Sequence, residues 1–106
     1  MSSEFCLILC TCPTKEVARA IAHQALQQKL AACINIIDGV ESIYLWQGQI
    51  EQEKECQMLI KSRRDKSDDL FKLVLSLHPY DVPEWVILPI DSLSVDYQQW
   101  LNASLD

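Results

Sequence analysis

SIYLWQGQIEQEKECQMLIKS, Ser42–Ser62, holds two strands and the turn between them. Ile43, Tyr44, Leu45 and Trp46 are β-branched or large apolar residues that favour a pleated strand. Gln47-Gly48 supplies a two-residue turn, with glycine where a tight hairpin needs positive φ. From Gln49 the chain alternates. Ile50, Cys56, Met58 and Ile60 fall on one face; Glu51, Glu53, Glu55 and Gln57 fall on the other.

Strand-like residues continue upstream to Cys33, through Ile34, Ile36 and Val40, with Asp38-Gly39 as a bend or bulge. Each arm of this hairpin runs to roughly 14 residues, against a usual five or six. Such an arm reaches roughly 45 Å, whereas a helix of about 15 residues covers only about 22 Å. Helices of the same chain therefore leave the tip bare, and Tyr44, Trp46 and Ile50 are expected to pack on a neighbouring copy. Closed rings satisfy such head-to-tail contacts. The alternative is a hairpin that breaks at Gly39 and folds back on its own body.

The flanks complete the pattern. FCLILCTC, Phe5–Cys12, is a near-continuous apolar run, the mark of a central strand covered on both faces. Pro13 ends it. Thr14 is placed to cap a helix whose apolar face is Val17, Ile21, Ala25 and Ala18, Ala22, Leu26, running to about Leu30. A second helix follows the hairpin, capped by Asp65 or Ser67, with Leu70, Phe71, Val74 and Leu75 inward and Pro79 stopping it. EWVILPI, Glu84–Ile90, reads as a strand whose Pro89 suits an edge. Ser94–Leu105 reads as a terminal helix with Tyr97, Trp100 and Leu101 apolar. The order βαββαβ plus a helix is the α+β, ferredoxin-like split β-α-β sandwich, in one domain over residues 1–106.

Composition narrows the function. The 106 residues carry a formal net charge of −6, which disfavours nucleic acid and anionic membrane surfaces. Two isolated glycines, Gly39 and Gly48, exclude a glycine-rich phosphate cradle. No run reaches membrane-span length, and Met1–Glu4 carries no signal-peptide pattern. Five cysteines without a CxxC pair point to free thiols in a reducing compartment, here the cytoplasm, and not to a zinc knot or redox motif.

Cys6, Cys10 and Cys12 share one side of the first strand. His78 ends the second helix, and the prolines of HPYDVPE stiffen the loop that aims His78 and Glu84. Thiolate and imidazole together suit copper or zinc, with a carboxylate completing the shell. Packing alone also accounts for these cysteines, and a helix C-cap accounts for His78. Glu51, Glu53 and Glu55 align on one strand face and repel unless a cation faces them. No oxyanion-hole or nucleotide motif accompanies Cys10 and His78, so catalysis is not expected.

LCTCP (Leu9–Pro13), KLAACINI (Lys29–Ile36), SIYLWQGQIEQEKECQMLIKS, LHPYDVPE (Leu77–Glu84) and DYQQWLNASL (Asp96–Leu105) together resemble the CutA, or divalent-cation tolerance, family over most of the chain. The resemblance implies a ferredoxin-like protomer, a homotrimer with intersubunit sheet pairing, and a role in tolerance of divalent metal ions. It also implies a copper site that carries over to Cys10 and His78. The family's other histidine falls on Leu77, which has no donor atom, leaving Cys12 or Glu84 as substitutes. A trimer of such units has clefts between subunits, which Tyr80, Asp81, Glu84 and Trp85 are placed to line as a site for a small molecule or a partner protein.

Overall fold

A computed structural model describes residues 4–106. The polar lead proposed for Met1–Glu4 therefore lies, except for Glu4, outside the described residues. The order is β1 (Phe5–Cys12), α1 (Lys15–Gln27), β2 (Cys33–Trp46), β3 (Gln49–Arg63), α2 (Arg64–Leu77), β4 (Val86–Pro89) and α3 (Val95–Leu105). The strands form one antiparallel sheet in the order β2-β3-β1-β4, with the apolar β1 inside and the proline-bearing β4 at an edge. This is the split β-α-β arrangement.

One face of the sheet is closed by helices. Cys6, Ile8, Cys10 and Cys12 of β1 lie opposite Ser62, Ile60, Met58 and Cys56 of β3. They pack with Ala18, Ile21 and Ala25 of α1 and with Leu70 and Val74 of α2. Burying a side chain of this size contributes about 1.5–3 kcal/mol. A second cluster joins Phe5 and Ala32 to Leu101 and Leu105, seating α3 at the sheet's end. Trp100, expected on that helix's apolar face, is 47 % exposed and lies beside Tyr97 at 5.4 Å between ring centroids.

The helix ends follow local chemistry. The Thr14 hydroxyl accepts from the Val17 amide at 3.3 Å, as its capping role requires. Helix α1 stops at Gln27, three residues short of the expected end. Lys29 takes a left-handed φ of 57°, and the Leu30 amide donates back to the Ala25 carbonyl. Helix α2 begins at Arg64, upstream of Asp65 and Ser67, and Arg63 caps it without a side-chain bond. Asp65 is drawn instead into a two-pronged contact with the Arg63 guanidinium, at 3.0 and 3.1 Å.

The hairpin stays extended. Its turn has φ of 51° at Gln47 and 79° at Gly48, both positive as a type I′ turn demands. The Asp38-Gly39 irregularity is a one-residue bulge. Ile37 pairs with Gln57, but Val40 pairs with Glu55. The extra residue reverses the facing of β2. Before it Ile36 turns toward the helices; beyond it Val40, Ser42, Tyr44 and Trp46 turn to the helix-free face, opposite Glu55, Glu53, Glu51 and Gln49. Past the bulge the arm carries exposed Ile43, Tyr44, Leu45, Trp46 and Ile50. The helix-free face also carries partly exposed Ile37, Val86 and Leu88.

Candidate metal centre

The C-terminal half of β1 and the end of α2 meet at three donors. The Cys10 and Cys12 thiols and a His78 ring nitrogen lie within 4.8 Å of one another, and all three residues are buried. Strand alternation sends both cysteines to the helix side. His78 arrives from above: its amide donates to the Val74 carbonyl at 2.8 Å, closing α2.

Both nitrogens of the His78 ring are engaged. Nε2 lies 2.7 Å from the Thr11 carbonyl and Nδ1 lies 3.1 Å from the Tyr80 amide nitrogen. A carbonyl only accepts and an amide N–H only donates, so Nε2 carries the proton and Nδ1 offers its lone pair to Tyr80. Donating a hydrogen bond to the neighbouring Cys12 sulfur, and then burial, push the Cys10 thiol well above its ordinary range. Cys12 is drawn down by its hydrogen bond with Cys10, against an opposing effect of burial.

Glu84 stands apart from this trio. Its Oε1 accepts from Gln57 Nε2 at 3.1 Å, across the sheet. Leu77, in the place where the resemblance calls for a second histidine, is the last residue of α2 and 39 % exposed. Of the other cysteines, Cys6 and Cys56 are buried and Cys33 is half-buried. Cys56 donates to the Asp38 carboxylate at 3.3 Å, and Lys15 pairs with the same carboxylate at 3.4 Å.

A cleft of about 860 Å³ opens on the helix-free side, between the hairpin arm and the loop after α2. Tyr80, Asp81 and Glu84 line it from the loop; Tyr44, Trp46 and the glutamates of β3 line it from the arm. Trp85, expected beside them, turns the other way. Val86 pairs with Leu9 on the helix-free face, so alternation puts Trp85 among the helices, 4.9 Å from the Phe71 ring centroid. Ile50 lies further out on the arm, 77 % exposed.

Residues 6–104 match the model of the family described as CutA1 divalent ion tolerance protein. The chain belongs to the CutA1 family. A relative from Yersinia pestis (strain Pestoides F), named divalent-cation tolerance protein CutA, is 43 % identical over 99 residues, 93 % of this chain and 83 % of that protein. The solved structure of the divalent cation tolerance protein of Thermus thermophilus superposes with a TM-score of 0.93 at 40 % identity, covering 96 % of this chain and 99 % of that one. That of Archaeoglobus fulgidus, described as a periplasmic divalent cation tolerance protein, has a TM-score of 0.93 at 31 % identity, covering 96 % and 99 %. The CutA1 match accounts for the full element order, the long hairpin included.

Proposed function

We propose that this CutA1 chain serves divalent-cation tolerance by holding a thiophilic metal ion at Cys10, Cys12 and His78, without catalysis, as a homotrimer in the cytoplasm. The convergence of two thiols and an imidazole within 4.8 Å carries the metal reading. Two sulfurs and one nitrogen are a soft donor set that fits copper or zinc. Loading has a cost built into the site. His78 must withdraw its Nδ1 lone pair from the Tyr80 amide or give up the Nε2 proton, and the thiols must release theirs. A weak, strongly pH-dependent site follows. A buried Cys10 thiol pushed upward is the opposite of an activated nucleophile, which speaks against catalysis and, for the same reason, makes metal loading depend on pH.

Trimer formation is supported by the arm and by the helix-free face, which leave Ile43, Leu45, Trp46, Ile50, Val86 and Leu88 exposed, as surfaces that meet a partner do. The long free edge of β2 offers backbone donors and acceptors to a sister strand. Five free cysteines favour a reducing compartment. Fractionation of cells expressing the chain, with the protein recovered in the periplasmic fraction, would contradict the placement.

Calorimetric titration with zinc, and with copper(I) under reducing conditions, tests the metal site. One ion per chain is expected. Cys12→Ser and Cys10→Ser should each weaken binding roughly tenfold or more, the scale of a lost or misoriented ligand. Equal affinity in wild type and both variants excludes these ligands.

A further inference from the structure

Cys12 and Cys56 face each other across the sheet. They are the last opposed pair of β1 and β3, and strand alternation sends both thiols to the helix side. Directly opposed residues of antiparallel strands have Cα atoms about 4.5–5.5 Å apart. A disulfide spans about 4.4–6.8 Å between the same atoms. Among the described residues no other two cysteines are opposed: Cys6 faces Ser62, Cys10 faces Met58 and Cys33 faces Lys61. Cys10 and Cys12 share a strand, where alternate residues stand about 6.6 Å apart, at the far limit of that window.

One thiol of the pair borders a way in. A cleft of about 300 Å³ opens where β2 bulges beside the start of α1, walled by Thr14, Lys15, Asp38, Lys54 and Cys56. None of the arm residues Ile43–Ile50 borders it. Cys56 is 2 % exposed and Cys12 fully buried, so an oxidant that reaches them must be small. A base is already in contact: the Cys56 thiol donates to the Asp38 carboxylate at 3.3 Å, and Lys15 pairs with that carboxylate at 3.4 Å. Burial and then Asp38 push the Cys56 thiol up, so its reaction is slow. Cys12, in contrast, is drawn toward its thiolate by the hydrogen bond with Cys10.

We propose that Cys12 and Cys56 are a redox modification site, which closes into a cross-strand disulfide when hydrogen peroxide enters the cleft at the bulge. The Cys56 sulfur attacks one peroxide oxygen while its proton passes to Asp38. The S–O bond forms, the O–O bond breaks, and the departing hydroxide takes the proton from Asp38 and leaves as water. The Cys12 sulfur then attacks the Cys56 sulfur. The S–S bond forms, the S–O bond breaks, and the second hydroxide leaves as water with the Cys12 proton. Two thiols and one peroxide thus give one disulfide and two waters. Cys12 is also a donor for the proposed metal ion, so disulfide and ion exclude each other. That consequence rests on the metal reading; the disulfide does not.

Peptide mapping tests it. The intact, metal-free protein is held in chelator, treated with hydrogen peroxide, alkylated, digested without reduction and analysed by mass spectrometry. A cross-linked peptide joining Cys12 to Cys56 is expected, with free thiols falling from five to three and returning with dithiothreitol. Cys56→Ser, whose hydroxyl can still donate to Asp38, should keep its remaining thiols over the same period. Cys33→Ser should lose two, as wild type does. No loss of thiols in wild type overturns the proposal, as does a Cys10–Cys12 link or oxidation to sulfinic acid without a cross-link. Repeating the treatment with zinc in place of chelator separates the two readings. Protection by zinc is expected, and equal rates with and without it contradict the metal centre while the disulfide stands.

Discussion

Arg63 shows how one side chain ties three elements together. It ends β3 with a side chain only 9 % exposed, and its guanidinium reaches Asp65 of α2, Asn102 of α3 at 3.1 Å and Asp106 at 2.7 Å. Lys29 adds a bond to the Asp106 carbonyl at 2.9 Å. Removing a charge that answers four acceptors costs more than a surface pair, whose median is near zero. Arg63→Met is expected to lose about 1–2 kcal/mol, read as a lower thermal midpoint. Hydrogen bonding from Arg63, with burial opposing, holds the Asp65 carboxyl below its ordinary value. A depressed carboxyl contributes stability that is complete above its unfolded pKa of about 3.9 and is lost as pH falls through the lower folded value. Between pH 5 and pH 3 the wild-type midpoint should therefore fall more steeply than that of Arg63→Met; parallel profiles would contradict the linkage. Asp65 is mostly exposed, so the difference is small.

At the scale of elements, the hairpin is the part that chemistry specifies most tightly. Gly48 sits at φ of 79°, and a Cβ added there meets nothing within 4 Å. Gly48→Ala therefore isolates the backbone penalty, and equilibrium unfolding should show a loss of about 1 kcal/mol. A neutral substitution would mean the turn relaxes to another type. The element order, the turn and the Thr14 cap are all legible in the sequence because each rests on local chemistry: period-two alternation, a glycine with positive φ, a hydroxyl within reach of an amide. Other features rest on distant partners. Asp65 reads as a cap until Arg63 is seen to claim it. Trp85 reads as a cleft residue until its strand register turns it inward. The bulge residues were visible, but not that a single extra residue would carry Tyr44 and Trp46 across to the glutamate face. For the candidate metal centre, Cys10 and His78 are named from the sequence with Glu84, and with Cys12 as a substitute; Cys10, Cys12 and His78 stand together and Glu84 does not. Nothing in the sequence reveals that backbone groups hold both His78 nitrogens, or that Gln57 holds Glu84 away.

The whole protomer measures 45 × 28 × 23 Å, and its long dimension matches the reach expected of the hairpin arms. Helices cover one face of the sheet and the arm continues beyond them, with Leu45 70 % and Ile50 77 % exposed. An isolated two-stranded ribbon is marginal in water; in the proposed trimer, contacts with sister chains shelter the arm. Charge placed on the arm should break those contacts while sparing the protomer core: Ile50→Asp is expected to dissociate the assembly and to lower the thermal midpoint in a concentration-dependent way. The most direct measurement is the solution mass by light scattering at micromolar concentration. A mass three times that of the 12.2 kDa chain is predicted; a stable species at the mass of a single chain would contradict the trimer and the shelter it gives the arm.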